Sequence, residues 1–271
     1  MMFESDVKLE INEESKLTNP FSKDELINFD TIKDMLSLAL LVYDFNVTIK
    51  LETCDNKTYD LNNLDINKLK LTKEKKAILE SILCKSPNCE LYRFYDLKSG
   101  TQVGITISHK QQRICVIFRG SNQLIDWIND FLICKIRLEN NIYVHYGFYK
   151  SLYACNLFDD LVNNLKTLIK EYPEYELFVT GHSLGGGLAT LFSYLISDII
   201  DKNITLISFA SPRVGNKEWK SDFDSKKNLR HYRCINRKDI VTTVPYFFYY
   251  HVGNCVLINN DSIMEYKVSS L

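Results

Sequence analysis

Leu177-Phe178-Val179-Thr180-Gly181-His182-Ser183-Leu184-Gly185-Gly186-Gly187-Leu188-Ala189-Thr190-Leu191-Phe192 decides how this chain is read. An apolar run, Leu177 to Thr180, reads as a buried strand, and the apolar spacing from Leu184 to about Ile199 reads as a helix. Between them stands the G-x-S-x-G pattern Gly181-His182-Ser183-Leu184-Gly185. A serine on so tight a strand-to-helix turn takes a strained backbone, and side chains two residues to either side would clash, which explains the two glycines. The turn is expected to lift Ser183 clear of a sheet and to leave the Leu184 amide without an intrahelical acceptor, where the helix dipole favours a developing negative charge. An ordinary glycine-rich loop is the competing reading. With ten glycines in 271 residues, the pattern arises by chance in this context only about a few per cent of the time.

Working outward, strands alternate with helices. Leu91–Tyr95 and Val103–Ser108 read as a hairpin across Lys98-Ser99-Gly100, and Arg113–Phe118 as a solid apolar strand. Lys150–Tyr172 reads as one long helix ended by Pro173, followed by strands Thr205–Phe209 and Arg230–Ile235 and a helix at about 216–225. Thr31–Phe45 has helical apolar spacing behind an Asp30 or Thr31 cap. This alternation predicts an α/β fold, a mostly parallel sheet with helices on both faces. The division expected is an acidic N-terminal arm over 1–28 and a single domain over 29–271. Residues 46–88 are rich in Lys, Asn and Asp, with signs of a hairpin near Asp55-Asn56-Lys57 and a helix near 73–84.

At 271 residues one core suffices, burying roughly three quarters of the unfolded surface. The 33 basic and 34 acidic residues nearly cancel, so the chain carries no electrostatic footprint for nucleic acid. The eight cysteines (54, 84, 89, 115, 134, 155, 234, 255) include no C-x-x-C pair and read as buried thiols. Met1 to Pro20 is acidic with no apolar h-region, and no stretch approaches a membrane span, so a cytoplasmic protein is expected.

A serine hydroxyl needs a base, and the base a group that fixes its tautomer. In hydrolases of this layout the chain order is Ser, then Asp or Glu, then His. Asp239, just beyond the strand ending at Ile235, is the candidate acid; a surface-turn aspartate is the alternative. Of the histidines after Ser183, His231 precedes Asp239, which leaves His251. A strand His251–Ile258 returning antiparallel would start where Asp239 ends and permit their contact. The amide of Ser121, after the strand ending at Phe118, is the candidate second oxyanion donor beside that of Leu184, each such donor being worth roughly 3 kcal/mol of barrier. Over Leu124 to Leu132 six apolar side chains share an arc of roughly 160° on a helix. Core packing explains such a stripe. A lid of Leu124, Trp127, Ile128 and Phe131 over an apolar cleft is the sharper reading.

Together, Ile117-Phe118-Arg119-Gly120-Ser121, Trp127 with Asp130, Val144-His145-Tyr146-Gly147-Phe148, Gly181-His182-Ser183-Leu184-Gly185-Gly186, Ser211-Pro212-Arg213-Val214-Gly215-Asn216, Asp239-Ile240-Val241 with Pro245, and Tyr249-Tyr250-His251-Val252-Gly253 resemble the class 3 lipases, an α/β-hydrolase family, over residues 90–258. The resemblance implies Ser183 as nucleophile, Asp239 as its acid, the Ser121 and Leu184 amides as oxyanion hole, Asn122 to Leu132 as lid, and His145, Gly147 and Phe148 as packing. One departure concerns the base: in fungal members the catalytic histidine lies well beyond the Tyr-x-His motif, and Val252 to Leu271 contains no histidine. Either His251 takes that role, or the chain is truncated or impaired in turnover.

The expectation is therefore a carboxylic ester hydrolase for acylglycerol-like lipids, working without metal or organic cofactor, with a lipid ester as partner and transient contact with a lipid surface. Its alternatives are a lipase-like module serving as a lipid-binding or protein-interaction domain, and an esterase or acyltransferase on non-lipid substrates.

Overall fold

The computed structural model describes residues 27–48, 57–60, 90–120, 134–235, 240–245, 248–259 and 262–266. The expected arm up to residue 26, the helix near 73–84, and Ser121, Leu124, Trp127, Ile128, Phe131 and Asp239 lie outside the described residues.

Solid apolar strands need cover on both faces, and the structure supplies it. Nine strands form one sheet in the order β1 (Lys57–Asp60), β2 (Glu90–Asp96), β3 (Gln102–Ser108), β4 (Arg113–Phe118), β7 (Glu176–His182), β8 (Ile204–Phe209), β9 (Leu229–Ile235), β10 (Asn254–Asn259) and β11 (Ser262–Tyr266). A separate antiparallel pair, β5 (Lys135–Arg137) and β6 (Tyr143–His145), stands beside it. The five strands from β4 to β10 run parallel, and the strands outside them pair antiparallel.

The pleat sorts side chains between two cores. Ile114, Val116 and Phe118 of β4 join Leu177 and Val179 of β7 and Ile204 and Leu206 of β8 on one face. There they pack under α2 (Tyr146–Tyr153), α3 (Leu157–Glu171), α4 (Leu184–Ile196) and α5 (Lys217–Ser225). Cys115, Ile117, Phe178, Ile207 and Phe209 face the other way, under α1 (Phe29–Thr48). That helix buries Ile32, Met35, Ala39 and Val42, one stripe at helical spacing.

Three expectations are corrected. The helix read as continuous from Lys150 breaks at Ala154–Asn156, where Cys155 (φ 54°) and Asn156 (φ 60°) are left-handed; asparagine tolerates that conformation and the apolar spacing runs on across the break, hiding it. Cys134 and Cys155 are exposed, while Cys115, Cys234 and Cys255 are the buried thiols expected. Most consequential, β10 runs parallel to β9, not antiparallel. The link after β9 returns along the sheet before β10 starts.

Phe192 of α4 sits 5.2 Å from the Phe118 ring and 5.9 Å from Phe158, fully buried. Phe192→Ala should lower stability by about 3–5 kcal/mol in urea denaturation, whereas Leu40→Ala, on the half-exposed outer side of α1, should stay within about 0.5 kcal/mol.

Candidate active site

Ser183 adopts φ 57°, ψ −125° between β7 and α4. Its amide donates to the Phe209 carbonyl at 2.9 Å, and its own carbonyl accepts from Gly186 at 2.8 Å. The flanking glycines are sterically required. A Cβ on Gly181 would lie 2.4 Å from the Gly185 carbonyl oxygen, and one on Gly185 would lie 2.2 Å from the Phe118 carbonyl oxygen. The second contact presses the first turn of α4 against the end of β4, so the Leu184 N–H, which lacks an intrahelical acceptor, starts its helix beside the loop Arg119-Gly120.

Ser183 is 1% exposed, and its Oγ has no hydrogen-bond partner among the described residues. Of the two directions that the turn allows, toward solvent or toward substrate, the hydroxyl does not take the first. A buried hydroxyl left unpaired costs about 1–3 kcal/mol.

Helix α1 braces this corner through a residue that the sequence did not single out. The Tyr43 hydroxyl meets His182 Nδ1 at 3.2 Å and accepts from the Gly120 amide. A Cβ on Gly120 would come 2.2 Å from that hydroxyl oxygen. Arg119, buried, lies 5.2 Å over the Tyr43 ring and donates through Nη1 to Gln102 Oε1. Burial raises the Tyr43 pKa and lowers that of Arg119, so the phenol stays protonated and serves as a fixed dipole. A tyrosine on an apolar helical stripe reads as packing; only its partners reveal the second task.

The neighbouring motif residues hold shape. His145 Nδ1 accepts from the Gly147 amide at 3.0 Å and caps α2. Phe148 fills the space over Gly187, where a Cβ would lie 2.5 Å from its ring. Asn216 caps α5 by accepting from the Trp219 amide at 3.1 Å.

His251 and Ser183 are not brought together. The pairing of β7, β8, β9 and β10 sets His182, Phe209, Cys234 and Val256 level across the sheet; His251 precedes Val256 by five positions, toward the amino edge, because β10 is parallel. Its Nε2–H donates to the Thr242 carbonyl at 2.6 Å. Burial first, then the Arg233 guanidinium and, less, Arg213 and Lys220, push its pKa down to about 3 against the opposing Thr242 bond. The expected contact of His251 with Asp239 lies outside the described residues; among the described residues the ring stands beside Arg233 and His231. His231 meets Ser208 Oγ at 2.8 Å, and burial, Arg233 and His251 lower its pKa well below the usual value. Among the described residues no cluster of His, Cys, Asp and Glu suits a metal ion.

Both imidazoles are neutral in the fold and titrate near 6.5 once unfolded. The unfolded chain then binds more protons below pH 6.5, so stability falls as pH falls, for His251 down to about 3. Each such histidine contributes a slope of about 1.4 kcal/mol per pH unit. His251→Gln, which keeps a donor for Thr242, should flatten the dependence of the denaturation midpoint between pH 6 and 4; an unchanged slope would refute the neutral buried state.

The family model described as "Lipase (class 3)" matches residues 115–249. Phospholipase A1-II 3 of Oryza sativa subsp. indica is 30% identical over 187 residues, covering 58% of this chain and 44% of that protein. The secreted alkaline triacylglycerol lipase of Penicillium cyclopium is 31% identical over 139 residues, covering 48% of each. The chain thus spans less than half the length of these curated relatives. The solved structure of lipase II from Rhizopus niveus matches with a TM-score of 0.64 at 23% identity, over 84% of this chain and 80% of that one, a likeness that shows a shared α/β-hydrolase fold. The cytoplasmic expectation, drawn from the composition of Met1 to Pro20 and the lack of a long apolar stretch, is overturned by the Penicillium relative, which is named as secreted. Among the described residues no helix is long and apolar enough to cross a membrane. From the elbow, the sheet that carries it and the match through its motifs, the chain belongs to the class 3 lipase family.

Proposed function

We propose that the protein is a serine carboxylic ester hydrolase acting on acylglycerol-like lipids. The observation that carries this reading is the Ser183 hydroxyl at the start of α4, on a strained backbone, buried and without a hydrogen-bond partner among the described residues. Relatives named as a phospholipase A1 and a triacylglycerol lipase support the substrate class. Ser183 Oγ attacks the acyl carbonyl carbon as its proton passes to an imidazole, and the carbonyl oxygen becomes an oxyanion facing the amides of Ser121 and Leu184. The imidazolium returns the proton to the departing alcohol. Water then attacks the acyl-enzyme by the same route, freeing the fatty acid and restoring the serine. Asp239 is the acid that holds the imidazole, and Leu124, Trp127, Ile128 and Phe131 belong to a cover that excludes water. No metal or organic cofactor enters this chemistry.

For His251 to serve as the base, its Thr242 bond must break and its ring must travel toward the carboxyl edge of the sheet. That geometry favours a second reading: a lipase-like module that binds lipid without efficient turnover. Ser183→Ala is expected to abolish both fluorophosphonate labelling and ester hydrolysis; hydrolysis unchanged in that variant would end the proposal. A drop of several orders of magnitude in His251→Ala assigns the base. Wild-type protein that is labelled but never turns over favours the module.

Tyr43→Phe keeps the ring and removes the hydroxyl that joins α1 to Gly120 and His182. The expected result is about a tenfold fall in kcat, near the worth of one hydrogen bond, with KM and melting temperature little changed. A kcat equal to wild type would show that the brace is idle.

A further inference from the structure

Arg119 follows β4 directly, at the edge of the sheet where the elbow stands, and it is 8% exposed; Gln102, at the start of β3, is 4% exposed. A guanidinium so deeply buried is ordinarily met by a carboxylate in direct contact. Here an amide takes that place. Gln102 accepts the Arg119 N–H on its main-chain carbonyl at 3.0 Å and Nη1 on its side-chain Oε1. Its own Nε2 donates to Asp96 Oδ1 at 2.7 Å. The carboxylate is therefore at hand, on the residue paired with Gln102 across β2 and β3, yet it stands one link back from the charge. Arg119 Nε has no hydrogen-bond partner among the described residues.

The guanidinium lies against the nucleophile's corner. It is 5.2 Å from the centre of the Tyr43 ring, whose hydroxyl accepts from the Gly120 amide. The Arg119 main chain presses on the first turn of α4, where a Cβ on Gly185 would lie 2.7 Å from its carbonyl carbon. Burial lowers the Arg119 pKa, with Tyr43 and Asp96 opposing that shift, and a guanidinium stays charged through such a change.

We propose that Gln102 is a positioning residue for ester hydrolysis: standing between Asp96 and Arg119, it leaves the guanidinium uncompensated, so that the positive charge helps to stabilise the oxyanion forming at the Leu184 amide. The inference rests on the hydrolase reading of Ser183. A fixed charge in a dry corner acts on a developing anion far more strongly than it would in water. A bridge needed only for stability would be served at least as well by a carboxylate at position 102, because it would satisfy the same Arg119 donor with a stronger, charge-assisted bond.

The test exchanges the two groups. The double variant Asp96→Asn with Gln102→Glu keeps the net charge and the hydrogen bonds, since the new amide donates to the new carboxylate, which then meets Arg119 directly. On a dissolved short-chain ester, kcat should fall about tenfold, with KM unchanged and the melting temperature equal or higher. The rate of fluorophosphonate labelling should fall by a similar factor, a readout that needs no turnover. Asp96→Asn alone keeps an acceptor for Gln102 Nε2 and removes the carboxylate, so kcat and labelling should hold or rise. Wild-type rates in the double variant, or a comparable fall in Asp96→Asn alone, would overturn the role of Gln102 while leaving the hydrolase reading in place; if the double variant melts early, the single variant decides. Wild-type protein that takes no label and hydrolyses no ester would instead end the hydrolase reading itself.

Discussion

The contact that everything else depends on is one of backbone with backbone: the first turn of α4 against the carboxyl end of β4, so close at Gly185 that a Cβ would meet the Phe118 carbonyl oxygen at 2.2 Å. Such proximity is open only to glycine. It fixes β4 and β7 as neighbours, sets the helix dipole against the Arg119-Gly120 loop, and makes room for Ser183 only in a conformation that non-glycine residues avoid. Tyr43 and Arg119 then lock the loop from behind. The site is thus assembled mainly from main-chain geometry, with side chains bracing it.

Behind the elbow the interior is unusually basic. His231, His251, Arg233 and Arg213 approach one another under α4 and α5, and three of them carry pKa values pushed down by burial. Packing imidazoles there works only while they are neutral, so their role in the fold conflicts with proton uptake. A histidine so placed holds the Thr242 carbonyl, and it must release that bond before it can accept a proton from a serine.

Much of this was legible in the residues. Solid apolar runs such as Ile114 to Phe118 and Leu177 to Val179 marked buried parallel strands, and the glycines around Ser183 marked the turn, because both patterns follow from local sterics. The direction of β10 was not legible, since it depends on how far the chain after Ile235 travels before pairing, and no local pattern encodes that. The fate of His251 followed from this one direction. Tyr43 was hidden for another reason: its spacing on α1 satisfies the packing rule, which masks its hydrogen bonds. The break at Cys155 and Asn156 escaped because apolar periodicity continues through it.

Tyr43 and His182 stand 139 positions apart in the chain. During synthesis α1 leaves the ribosome long before the elbow it will brace, so it must wait, amphipathic and uncovered, until β4 and β7 have formed. Closing so large a loop has an entropic cost that local contacts cannot offset beforehand. The nucleophile's corner is therefore completed late in folding, and a chain interrupted before Glu176 leaves α1 without β7 and β8, two of the three strands that it covers.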